Sequence, residues 1–187
     1  PEELIRCCRM LEICARVKNY GRRDLDVEER DSLDGRFDAL QPLANVSAEI
    51  RRCLPSEEEI SDDASPGLLK VRRSMKAVND KIHTQLTSMV NGSARSYLQD
   101  PVVTMRNGRY CLPVKAEYKS QVPGMIHDQS STGSTLFVEP MAVIRLNNDL
   151  RELELQEEKE IEAVLASLSA LLGDNLEALH EDIALLT

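Results

Sequence analysis

An Asn-Gly pair at positions 107 and 108 separates two strand-like runs, Val102 to Arg106 and Arg109 to Val114. Asn-Gly supplies the positive φ angles that a two-residue hairpin turn requires, so a hairpin is expected here. After a break at Gly133, Ser134 to Val138 again alternates small or polar residues with apolar ones. β-structure is therefore expected over residues 102–140, between two long helical stripes. That order restricts the chain to a mainly α fold with a small β insertion (α+β). It suggests a device that reaches out and grips something, not a pocket enzyme.

The first stripe runs Leu68, Val71, Met75, Val78, Ile82 and Met89, with Gln85 as a polar interruption. The second runs Val143, Leu146, Leu150, Leu153, Ile161, Val164, Leu168 and Leu171, interrupted by Glu157. Steps alternating between three and four residues form a heptad stripe. Ser65-Pro66 opens the first one well, with a serine cap followed by proline at the first helical position. Each helix would span roughly 36 Å and cannot bury its stripe alone. Antiparallel packing of the two, with the β-segment joining their far ends, follows. The competing arrangement is an ordinary globular helical core carrying a hairpin. The narrow stripes and charged remaining faces favour the former. Further helices are expected over residues 1–19, from Val27 to Leu40, from Val46 to Leu54, and from Asn175 to Leu186 after a break at Gly173-Asp174. The expected division is a helical core over 1–64, an outgoing helix over 65–100, a β-rich tip over 101–140, and a returning helix with more core over 141–187.

With 3% aromatics, no Trp and two Phe among 187 residues, an elongated body with a thin core is expected, since aromatic rings supply much of the area in compact cores. The net charge of −9 argues against a chain coated by nucleic acid along its length. Between Val102 and Pro140, however, Arg106, Arg109, Lys115 and Lys119 stand against Glu117, Asp128 and Glu139. Five cysteines without a CxxC pair and three scattered histidines argue against zinc and for reduced thiols in the cytoplasm. No apolar run approaches the roughly 18 residues that a membrane helix needs. The chain opens on Pro1, and its apolar pattern continues to Thr187, so a segment of a longer protein is expected.

Three groups of residues invite a chemical reading. His127-Asp128 can ligate a divalent metal or serve in acid–base work. Only Glu139 is at hand to complete such a site, and the alternative is a pair of polar residues ordering a strand and its turn. The run from Ser130 to Thr135 can contact a phosphate backbone through hydroxyls and N–H groups, Ser130 and Thr132 above all. It lacks the lysine and the helix of a nucleotide-binding loop, and its alternative is a plain turn. Arg106, Arg109, Lys115 and Lys119, interleaved with Tyr110 and Tyr118, can contact phosphates without reading sequence. The alternative there is a solvated strand face. Strand alternation is expected to place Arg109 and Lys115 on opposite faces. No catalytic or metal-ligating residue is assigned.

The segment RNGRYCLPVKAEYKSQVPGMIHDQSSTGSTLFVEP closely resembles the clamp and lever region of the bacterial MutS-two family, paralogues of the MutS mismatch-repair ATPases. The likeness is carried by Arg106, Asn107, Gly108, Arg109 and Tyr110, then Leu112, Pro113, Val114 and Lys115. It continues through Val122, Pro123, Gly124, His127, Asp128, Ser130, Gly133, Thr135, Phe137, Glu139 and Pro140. Asn147-Asn148 with the acidic run LRELELQEEKEIE resembles the family's following lever helix, and Asp63-Ala64-Ser65-Pro66 the start of the preceding one. Cys111 stands where a residue such as Val is more usual. The resemblance is specific over residues 60–172 and looser before them. It implies a parent that is a dimeric ATPase using ATP and Mg in a following domain, with a C-terminal nuclease domain. It further implies action on branched DNA, suppressing homologous recombination, or on stalled and collided ribosomes. The present chain is then the core, lever and clamp, catalytically silent and without a cofactor of its own. Two rivals remain: a coiled-coil scaffold that binds no nucleic acid, and a metal-dependent phosphohydrolase built on His127-Asp128.

Overall fold

The computed structural model of the chain describes residues 1–21 and 34–186. The first part of the helix expected from Val27 lies outside the described residues. Helices α1 (Glu2–Gly21), α2 (Asp34–Ala39), α3 (Ala44–Cys53) and α4 (Pro66–Asn91) precede four strands, β1 (Thr104–Arg106), β2 (Arg109–Lys115), β3 (Gly124–Gln129) and β4 (Thr135–Pro140). Helices α5 (Met141–Gly173) and α6 (Leu176–Leu186) follow. The fold is mainly α with a small antiparallel sheet inserted between two long helices, as the sequence leads one to expect.

The described residues form two compact units, Pro1–Leu69 with Lys159–Thr187, and Lys70–Glu158. The first unit buries Ile5, Cys8 and Leu11 of α1 against Val46 and Ile50 of α3, and the same core takes in Leu68, Val164, Leu168 and Leu179. Helix α4 begins there. The Leu68 N–H donates to Ser65 Oγ at 2.9 Å, the expected serine cap, and Ser65 Oγ donates to Glu160 Oε2 at 3.2 Å. Four of the five cysteines are buried, all are free thiols, and Cys7 is half-buried.

The second unit packs one face of the sheet on α4 and α5. Its core joins Ile82, Leu86 and Val90 to Leu112, Val114, Val138, Val143 and Leu150. Past Ile82 the buried positions of α4 are therefore Leu86 and Val90, while Gln85 is exposed. A strict heptad drifts against the 3.6-residue turn of a straight helix, and here the buried row continues in steps of four. Glu157, the polar break in the second stripe, accepts from Arg72 Nε at 2.7 Å. It forms an ion pair between the two long helices within this unit.

The sheet order is β1-β2-β4-β3, antiparallel throughout. Asn107 and Gly108 have φ of 52° and 72°, and Arg106 pairs with Arg109 across them. This is the hairpin that Asn-Gly demands. Strand β3 is the element least visible in the sequence. It lies at the sheet edge, and its residues are almost all exposed, so no apolar alternation marks it.

Candidate functional site

Three residues of the expected cationic set lie on β1 and β2, and the fold treats them differently. Arg109 turns inward. Its Nη1 donates to Glu139 Oε1 at 2.8 Å and its Nη2 to Asn148 Oδ1 at 2.7 Å. Glu139 is fully buried. It also accepts from Asn147 Nδ2 at 2.8 Å, and its Oε2 lies 2.5 Å from His127 Nε2. A buried carboxylate is tolerated only when its oxygens are bonded and its charge is met, and Arg109 supplies both.

Asn147 performs a second task. Its Oδ1 accepts from the Tyr110 N–H at 3.2 Å, and its Nδ2 donates to the Tyr110 carbonyl at 3.3 Å. The β2–β4 ladder begins at Leu112 opposite Val138. One step further out, Tyr110 would face Pro140, which has no N–H to give. The side-chain amide of Asn147, from the first turns of α5, replaces the missing backbone partner.

His127 reaches Glu139 because the strand is irregular there. The β3–β4 register shifts between Ile126 and Asp128, so His127 is the extra residue of a bulge, the usual device for re-aiming a side chain. Its freed carbonyl accepts from Asn107 Nδ2 at 3.2 Å. Its neighbour Asp128 lies 3.3 Å from Arg106 Nε. The two residues thus diverge to separate partners. Among the described residues, no group of three or more His, Cys, Asp and Glu is placed to hold a metal ion. The Asn107 and Arg106 contacts join the outer strands β1 and β3 across the sheet. Arg106 also lies over the Phe137 ring, 3.8 Å from its centroid.

Lys115 lies on β2, its Nζ 3.4 Å from the Ser96 carbonyl and 5.9 Å from the Tyr118 ring centroid. On an unbroken strand Arg109 and Lys115 fall on the same face by the two-residue period, not on opposite faces. Lys119 is exposed on the 3₁₀ turn Ala116–Gln121 that follows. Ser130 is occupied by its own turn: its Oγ accepts from the Thr135 N–H at 3.1 Å and its carbonyl from Gly133 at 2.8 Å. Thr132 is exposed at the tip, 2.8 Å from Ser134 Oγ. Tyr110 is drawn away from the cations. Its hydroxyl donates to Asn79 of α4 at 2.9 Å, and its ring meets His83 edge-on. Tyr97, which the sequence did not single out, takes its place beside Tyr118, with ring centroids 5.3 Å apart. Cys111 is buried, and burial followed by the Glu139 charge pushes its thiol up to about 11.

The sequence that builds this unit is similar, along nearly the whole chain, to that of known proteins. The chain is 58% identical over 186 residues to an "Endonuclease MutS2" of Agathobacter rectalis, covering 99% of this chain and 24% of that protein. It is 54% identical over 177 residues to the Lachnoclostridium phytofermentans protein of the same name, covering 91% of this chain and 22% of that one. The Clostridium botulinum counterpart is 41% identical over 187 residues, covering 100% of this chain and 24% of its own length. No protein-family model matches the chain. The chain belongs to the MutS2 family, and it spans about a quarter of the length of these relatives.

Proposed function

We propose that this chain is the core, lever and clamp segment of a MutS2-like protein, and that its sheet grips the phosphate backbone of nucleic acid. The supporting observation is the state of the cations. Arg106, Lys115 and Lys119 remain at or near the surface of the sheet unit in a chain of net charge −9, whereas Arg109 is held by Glu139 and Asn148. In this reading Arg106, Lys115, Lys119 and the tip hydroxyl of Thr132 touch backbone phosphates. Arg109 and Ser130 hold the sheet and its turn in shape. Such contacts position a protein without reading sequence, as befits branched DNA or the RNA of a stalled ribosome.

Helices α4 and α5 then act as levers that transmit the grip. ATP and Mg and the nuclease step belong to the rest of the protein, which as a whole forms a homodimer and works in the cytoplasm. Among the described residues, no helix is long and apolar enough to cross a membrane.

The test is affinity for branched DNA and for ribosomes across a salt series. Each lost phosphate contact should flatten the salt dependence by about one unit of slope. Alanine at Arg106, Lys115 and Lys119 together should weaken both ligands and flatten both slopes. Unchanged affinities and slopes in a folded variant would leave the scaffold reading in its place.

A further inference from the structure

Tyr97 and Tyr118 are twenty-one positions apart in the sequence and are brought together by β2. Gln99 N–H donates to the Pro113 carbonyl at 2.8 Å, and Leu98 bridges to Val114. These contacts pin the turn Arg95–Tyr97 beside the end of β2. The turn Ala116–Gln121 continues from that same end. The Tyr97 ring is half-buried and packs against the core of the unit, so it is a fixed base. Tyr118 leans on it, 36% exposed, with the rings inclined at 47°.

Tyr110 spends its hydroxyl on Asn79. Among the described residues, the hydroxyls of Tyr97 and Tyr118 have no such partner. Around the pair stand Lys115, Lys119 and, on the Tyr97 turn, Arg95, the last two exposed. Beside it opens a cleft of about 350 Å³ lined by Gln99, Lys115, Ala116, Glu117 and Ser134. Glu117 repels a phosphate there but accepts from an exocyclic amine. Gln99 and Ser134 both donate and accept. The cleft therefore suits the edge of a base better than the backbone.

We infer that Tyr97 and Tyr118 form a stacking platform for an unpaired nucleobase whose backbone lies along Lys115, Lys119 and Arg95. This rests on the nucleic-acid reading above and adds the class of ligand, a single-stranded or flipped-out nucleotide. A paired base hides both faces in its stack and cannot use the platform. A base stacked on an aromatic ring typically gains enough to raise affinity about tenfold.

The experiment measures binding of the protein to a short oligo-deoxycytidine and to a strand of equal length built from abasic residues. Wild type is expected to prefer the base-bearing strand by about tenfold. Tyr118→Phe should keep that ratio, because the stack survives. Tyr118→Ala should bring it close to one while affinity for the abasic strand stays the same. A matching pair of ribose strands tells RNA from DNA: the series with the larger ratio identifies the source. Equal, salt-sensitive binding of both strands by wild type overturns the platform alone and leaves the backbone grip standing. A ratio that Tyr118→Ala retains overturns it too. Failure to bind either strand overturns the platform, while the backbone grip stands or falls on branched DNA and ribosomes as above.

Discussion

Arg109 and Glu139 are 30 residues apart in the sequence and meet at 2.8 Å, with the carboxylate wholly inside the protein. Because Asn147 and Asn148 join the same cluster, the pair ties the hairpin to the first turns of α5. Removing one member of a buried ion pair leaves the other charge uncompensated. His127 and Asn147 remain to bond Glu139, so the cost falls below that of a fully isolated pair. Arg109→Met should lower stability by about 2–3 kcal/mol. Arg106→Met, which loses an exposed pair with Asp128 and the cationic contact over the Phe137 ring, should cost about 1 kcal/mol. Urea unfolding of the two variants checks this. Equal, small losses would mean that Arg109 is a surface cation after all.

The sequence made the hairpin legible because its signal is local: Asn-Gly can satisfy only a few backbone geometries. Proline after serine marked the start of α4 for the same reason. The role of Arg109 was not legible, because its partners come from β4 and α5 and nothing near position 109 announces them. Asn147 counts in the sequence only toward the family likeness; its bridging role is hidden, because it lies between Val143 and Leu150 on a helix whose apolar row reads through Leu146. A polar residue there looks like an interruption until Pro140 is known to face Tyr110. The bulge at His127 was hidden too, since a register shift depends on the partner strand. Tyr97 was missed, and Tyr110 overrated, because aromatic neighbours in space are not neighbours in sequence.

Two glycines of the sheet should respond unequally to alanine. At Gly108 φ is +72° and a Cβ would meet nothing within 4 Å, so the cost is confined to backbone conformation, about 1 kcal/mol. At Gly124 a Cβ would come within 2.1 Å of the Glu139 carbonyl, and neither strand backbone can yield without breaking the β3–β4 ladder. Gly124→Ala should cost about 3 kcal/mol. It should also speed amide exchange in β3 and β4 while β1 stays protected. Similar losses at both positions would show that β3 shifts freely.

Alkaline pH should weaken the fold through two cysteines, one in each unit. Burial, and next the charge of Asp182, pushes the Cys14 thiol from 9.0 up to about 11. Burial and then Glu139 do the same for Cys111, from 9.0 to about 11. Below pH 9 the thiols are protonated in both folded and unfolded chains, and their contribution is constant. Between pH 9 and 11 the unfolded chain gives up protons that the folded chain keeps, so stability falls as pH rises through that window. The useful quantity is a difference, in which every contribution that the two proteins share cancels. The loss of stability between about pH 8 and about pH 10.5 should be smaller for the Cys14→Ala, Cys111→Ala double variant than for wild type. Parallel losses in the two proteins would mean that neither thiol holds its proton more tightly when folded.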